Sequence, residues 1–346
     1  MALQPVSNPP NPWLSSAVEY LDTDGEPPPL ARLEVYEDHT RNILASNDSP
    51  DIGFEYSINP YRGCMHGCAY CYARPGHEYL SFGAGTDFDR KIVVKPRAPE
   101  LLREAFDKRS WTGQLIMFSG VTDCYQPLEA HYRVTRGCLE VCAEYRNPVG
   151  IITKAPLIER DIDVLQALAK VTRVSVTISV PLWDPDKARA MEPFVASPLR
   201  RMKTIAKLAA AGIDVGVNVA PMIPGLGDED ISEVLTAAAA SGATRAGFVF
   251  LRLPGPVATV FQERVRAALP LRAERILSRV REARGGKLYD ATFGKRQEGE
   301  GEYAATAKAL FDATCKRLGL NSGEVWSQST DTFRRPPRAG DQLTLL

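Results

Sequence analysis

Cys64, Cys68 and Cys71 stand in the run NPYRGCMHGCAYCYAR, residues 59–74, and a C-x3-C-x2-C spacing delivers three soft thiolates from one tight loop. Such a set suits an iron–sulfur cluster in which one iron has no protein ligand, and that open iron is a place where chemistry can occur. The rival is structural zinc, which closes with four ligands and so needs His66 or His77 in addition to the three thiols. No paired C-x2-C knuckle follows, which favours the cluster. The chain's seven cysteines, an odd number, read as ligands or buried thiols rather than disulfides.

The elements that must position this loop alternate along the chain. Short β-branched runs precede Cys64 and recur at 114–118, 149–153, 174–178, 214–219 and 246–250. Helical patterns lie between them at 99–108, 128–145, 159–170, 198–212 and 228–240. Six strands with helical partners predict an α/β fold with a parallel sheet whose strands look nearly continuously apolar. A closed barrel of eight units needs more chain, so the expectation is a partial (β/α)6 TIM-type barrel. We divide the chain into an irregular N-terminal extension (1–50), the barrel (51–256), a helical C-terminal region (257–325) and a flexible tail (326–346).

Composition bounds the function classes. With 346 residues, 44% of them hydrophobic, the chain can bury a substantial core. Lys plus Arg balances Asp plus Glu at 42 each, so the whole-chain field gives no reason to expect attraction to nucleic acid or membrane. No signal peptide and no apolar run long enough to span a bilayer is visible, and a cytoplasmic location with no membrane partner is the expectation.

The cysteine run resembles that of the radical S-adenosylmethionine superfamily, in which C-x3-C-x2-C after the first barrel strand holds a 4Fe-4S cluster. Further strings resemble the branch that contains spore photoproduct lyase and its DNA repair photolyase-like relatives: INPYRGC, CYAR, VTDCYQPLE (121–129), ITKAPLIERDID (152–163), MEP (191–193), SPLRR (197–201) and VAPMIPG (219–225). The resemblance implies reductive cleavage of S-adenosylmethionine to methionine and a 5′-deoxyadenosyl radical, which abstracts hydrogen from a substrate. Lesion repair in nucleic acid is the substrate it favours, and flavodoxin or ferredoxin the electron donor. Radical modification of RNA, peptide or a small molecule on the same scaffold is the alternative, and a Cys3His zinc-binding interaction protein the non-enzyme one.

Several candidate residues follow strand ends, where barrel enzymes place their sites: Ser119, Thr122 and Asp123 after the second strand and Lys154 after the third, while Thr177 lies on the fourth. The resemblance implies that Thr122, Lys154 and Thr177 hold the methionine part of the cofactor. A lysine facing a carboxylate makes charge-assisted hydrogen bonds. Tyr70 and Tyr72 flank Cys71 and could pack on adenine or relay a hydrogen atom. In the lyase two tyrosines at these places transfer the radical together with a cysteine shortly before the hydroxyl–Asp pair. Here that place is Gly120, and Cys124 is the candidate substitute.

Cys138 and Cys142 share one face of a helix and read as core, or with Cys124 as an auxiliary cluster. Glu129, His131, Arg133 and Arg136 begin the same helix and read either as within a substrate's reach or as a solvated helical face. GKRQEGEGE (294–302) reads as an exposed loop, and the final QLTLL, Gln342–Leu346, resembles peptides by which bacterial repair proteins dock on the sliding clamp.

Overall fold

A computed structural model describes residues 32–323 and 331–337. It contains strands β1 (Glu34–Glu37), β2 (Leu44–Ser46), β3 (Tyr56–Ile58), β4 (Tyr61–Arg62), β5 (Lys91–Val94), β6 (Ile116–Phe118), β7 (Val149–Thr153), β8 (Val174–Ser179), β9 (Asp214–Met222) and β10 (Arg245–Phe250). The larger sheet has the order β10-β9-β8-β7-β6-β3-β2. Its six strands from β3 to β10 are all parallel, and β2 adds antiparallel to β3 at the edge. This is the partial six-stranded barrel, open between β10 and β2.

The strand runs alternate more than their composition suggests. Val174, Val176 and Ile178 of β8, and Val215, Val217 and Val219 of β9, pack in one core with Leu165, Leu168, Ile205 and Leu208 of the helices Ile162–Val171 and Pro198–Ala210. The opposite face carries Ser175, Thr177 and Ser179 on β8 and Gly216, Asn218 and Ala220 on β9. These helices cover the outer face of the open sheet, whereas the inner face is small and polar. Ser179, Asn218 and Ala220, toward the strand ends of that face, line a cavity.

Two expectations require correction. The helix expected at 128–145 breaks at Arg133, which is left-handed (φ 53°), into Glu129–Tyr132 and Val134–Glu144. Glu129, expected within a substrate's reach, is fully buried, and its carboxylate accepts the Thr135 and Arg136 N–H groups that start the second piece, at 3.0 and 3.2 Å. The tail assigned to 326–346 is docked where it is described: Phe333 is buried against Phe106 and Tyr145, and Arg335 donates to the carbonyls of Phe106, Lys108 and Trp111. Gly113 makes room for it, since a Cβ there would lie 2.2 Å from the Phe333 Cβ. The clamp-like segment Gln342–Leu346 lies outside the described residues.

The stretch read as an irregular extension contributes β1 and β2. A small second sheet of order β1-β5-β4 stands beside the cysteine loop, with β4 antiparallel and β1 parallel to β5. Among the described residues no helix is long and apolar enough to cross a membrane.

Candidate active site

The cysteine loop leaves β4 and is fixed by buried polar side chains. Gln126, fully buried, accepts the Met65 N–H and donates to the Gly63 carbonyl, both at 3.1 Å. Arg74 donates to the carbonyls of Cys68, Ala84 and Gly85 and pairs with Asp89 at 3.0 Å. Backbone bonds add to this, from Cys64 N–H to Phe88 O and from Ala69 N–H to Met191 O, each at 2.9 Å. A buried arginine with its fork satisfied by carbonyls acts as a rigid template for the turn.

The three cysteines line one cavity of about 420 Å³ at the C-terminal ends of the parallel strands. The same wall carries Tyr70, Tyr72, Ser119, Thr122, Asp123, Lys154, Ser179 and Asn218. The sequence therefore placed most of its candidates in one site. Thr177 shares the inner face with Ser179 but is not part of the cavity wall; Ser179, one pleat nearer the strand end, is. Cys124 is corrected outright: its thiol is fully buried in the core that contains Cys138 and Cys142, away from the cavity. Ser119, at φ 78°, reverses the chain just after β6, and its hydroxyl accepts the Cys124 N–H at 2.9 Å.

Asp123 is consumed within the fold. It accepts from Thr153 Oγ1 at 2.6 Å, the Lys154 N–H at 2.8 Å and the Tyr125 N–H at 2.9 Å, and His66 Nδ1 lies 3.4 Å away. Burial would raise its carboxyl, but His66 and these donors outweigh that and hold it down at about 2. Asp123 thus ties the end of β7 to the cysteine loop. Thr122 similarly donates inward, to Tyr61 O at 3.1 Å.

Lys154 differs. Its ammonium makes no hydrogen bond or ion pair among the described residues and lies 5.7 Å from the Tyr70 ring centroid. Burial works against its charge, yet the neighbouring Cys68 and Glu192 raise its pKa on balance. Burial also pushes the Cys68 thiol up to about 12, with Lys154 pulling the other way. Loading a metal on these thiols must therefore release protons, and Lys154 is the cation placed to favour thiolate.

Two residues on which sequence reasoning did not settle prove central. Glu192 is buried between Arg201 and Tyr70, accepting from the guanidinium on one oxygen and from the phenol on the other. Arg201 in turn donates to Ser179 O and Ala196 O, each at 2.8 Å. They lie in the MEP and SPLRR strings, which marked the place but not the pairing. Tyr72 is nearly half exposed at the cavity mouth, and its hydroxyl donates to Gly120 O at 2.6 Å. A Cβ at Gly120 would lie 3.1 Å from Ser57 Oγ, so a side chain there would press on the inner face of β3.

A family model described as the Radical SAM superfamily matches residues 58–238, which include the cysteine loop and the four parallel strands β6, β7, β8 and β9. The chain belongs to the radical SAM superfamily. Membership supports an enzyme and implies a 4Fe-4S cluster and S-adenosylmethionine. An uncharacterized protein of Mycobacterium tuberculosis is 38% identical over 206 residues, 59% of this chain and 61% of the relative. Another, of Methanocaldococcus jannaschii, is 31% identical over 57% of this chain and 71% of the relative. The match thus spans about three fifths of the mycobacterial relative's length. Among solved structures, spore photoproduct lyase complexed with dinucleoside spore photoproduct superposes with a TM-score of 0.58 over 82% of this chain and 78% of that one, at 17% identity. At that identity the likeness is one of fold, and it agrees with the open parallel barrel of this radical SAM protein.

Proposed function

We propose that this radical SAM protein cleaves S-adenosylmethionine reductively and uses the resulting radical to abstract hydrogen from a nucleic-acid substrate. The observation that carries the reading is the convergence of Cys64, Cys68 and Cys71 with the unpaired ammonium of Lys154 on one cavity. The donor set fits the cofactors: three thiols leave one iron open, and a lone cation beside them suits a carboxylate. When bound, a reduced cluster with S-adenosylmethionine on its open iron supplies a 5′-deoxyadenosyl radical and methionine.

The chain's own residues bind, orient and shield. Lys154 would receive the cofactor carboxylate, with Ser119 and Ser179 as neighbouring hydroxyls on the wall, and Tyr70, held by Glu192, gives the loop an aromatic face. Tyr72, pinned to Gly120 O at the mouth, would stand between the cavity and an incoming substrate. Lesion repair or base modification is supported by the fold shared with a lyase solved with a dinucleoside photoproduct. Flavodoxin or ferredoxin would supply the electron.

Structural zinc finds less support. His77 Nε2 is bonded to Lys91 O at 2.9 Å, and His66 is engaged by Asp123. Among the described residues no three Cys, His, Asp or Glu side chains converge on a single ion. Zinc needs such convergence at ~2.0–2.3 Å, whereas a cluster spreads its thiolates over separate irons.

The test is anaerobic reconstitution, iron and sulfide analysis, and dithionite with S-adenosylmethionine, with and without irradiated DNA. We expect 5′-deoxyadenosine, more of it with damaged DNA. Zinc without iron, or no 5′-deoxyadenosine from loaded protein, overturns the reading. Turnover indifferent to DNA removes the nucleic-acid substrate alone.

A further inference from the structure

Three arginine Nε atoms are buried without a hydrogen-bond partner among the described residues, those of Arg252, Arg264 and Arg284. Arg284 spends its remaining nitrogens on the carbonyls of Leu251, Lys295 and Arg296. Arg264 is not part of the cavity wall and has Asp89 as an attractive neighbour. Arg252 lines the cavity, and none of its nitrogens makes a hydrogen bond or ion pair among the described residues.

Its position follows from the end of β10. Leu251 and Leu253 are buried in the core, and the Leu251 N–H continues the ladder to Met222 O at 3.0 Å, so alternation turns Arg252 to the cavity side. There its guanidinium lies 5.5 Å from the Tyr72 ring centroid. Asp51 is within electrostatic reach, but its oxygens already accept from the Gly294 N–H and from Arg296. Asp123, the other carboxylate on the wall, is occupied as described. The wall therefore holds a guanidinium that no carboxylate among the described residues bonds directly, distinct from Lys154, which sits near Cys68 and Tyr70 at the cysteine end.

A guanidinium presents five donors in a planar fork, and an aromatic face beside it satisfies none of them. A donor left unmade when buried costs on the order of 1–3 kcal/mol, so an orphan at a cavity wall asks for a ligand acceptor. The acceptor that matches the fork is a planar or tetrahedral oxyanion. Tyr72 and Val121, both nearly half exposed at the same mouth, give such a ligand an apolar shoulder.

We propose that Arg252 anchors a substrate subsite for an oxyanion, a phosphate or carboxylate, whose planar or apolar body rests against Tyr72 and Val121. This rests on the reading of the cavity as the reaction site and names the chemistry of what enters it.

Cluster-loaded wild type, Arg252→Gln and Arg252→Lys are titrated calorimetrically, in buffer free of phosphate and sulfate, with thymidine 5′-monophosphate, benzoate and thymidine. Iron content and melting temperature verify each variant. We expect one oxyanion probe to bind wild type about tenfold or more tighter than thymidine, about 1.4 kcal/mol. Arg252→Gln loses that margin and Arg252→Lys keeps part of it. The monophosphate and benzoate arms tell phosphate from carboxylate. Equal binding by wild type and Arg252→Gln, or no binding of either oxyanion at about 10 mM, overturns the subsite. Dithionite-driven 5′-deoxyadenosine formation by wild type is scored separately. Its absence with Arg252-dependent binding retained overturns the enzyme reading and supports the subsite; its presence with Arg252-independent binding overturns the subsite alone.

Discussion

Replacing Glu192 by alanine strips the counter-charge from Arg201 where both side chains are 1% exposed. Removing one partner of a buried ion pair costs about 3–5 kcal/mol, because the survivor stays charged and uncompensated. Arg201 would keep its bonds to Ser179 O and Ala196 O, which argues for the lower half of that range. The Tyr70 phenol, also buried, would lose its acceptor, which argues back toward about 4 kcal/mol. For a chain of this size that is a fall of about 5–6 °C in melting temperature. Met191 O accepts from Ala69 N–H at 2.9 Å within the cysteine loop, so iron retained per chain should fall with stability. Denaturant unfolding measures the first effect and iron analysis the second. The decisive comparison is the double variant Glu192→Ala/Arg201→Met, which buries no lone charge and should recover at least half of the loss. Additive losses in the double variant, or a single-variant loss below about 1 kcal/mol, would refute the argument that this pair holds the loop.

Three further outcomes are expected. Burial would raise the Glu159 carboxyl, but Arg200, Lys207 and the Thr204 hydroxyl outweigh it and lower the pKa from 4.5 to about 2. A depressed pKa gives stability that is complete above 4.5 and lost as pH falls toward 2. With Lys207 largely exposed, the contribution is discounted to about 1–2 kcal/mol, and the gap between wild type and Glu159→Gln should close over that acid range; a gap constant down to pH ~3 counts against it. Asp51→Asn breaks the ion pair with Arg296 that joins the segment after β2 to the loop bonded to β10 through Phe250 N–H and Gln297 O. Amide exchange at Phe250 should quicken several-fold, and unchanged exchange would show that the barrel's open side is held otherwise. Phe333→Ala should cost about 3 kcal/mol by emptying the space beside Phe106 and Tyr145, and a loss under about 1 kcal/mol by denaturant unfolding would mean that the segment contributes little.

What the sequence disclosed, and what it hid, follows from the range over which each residue acts. The six parallel strands were legible because their β-branched runs are bounded by turn residues, a local signal. β1 was not, since Glu34–Glu37 is exposed at every position and has no buried face to set a period. β4, two residues long, carries too little pattern to register. The cysteine spacing declared its chemistry because its ligands come from one loop. Glu192, Gln126 and Arg74 act through partners that sequence distance conceals: Glu192 meets Tyr70 across 122 positions, and Gln126 meets Gly63 across 63. A polar residue in a string states that something is bonded there, not to what. Thr177 and Cys124 mark a third limit. Strand parity set Thr177 on the inner face, but depth along the strand, which parity does not encode, gave the wall to Ser179. Cys124 follows Asp123 directly, yet the reversal at Ser119 sends its thiol into the core. The residue adjacent in sequence to the site was thus lost to it, while Arg252, more than a hundred residues further on, was delivered to its mouth by the last strand.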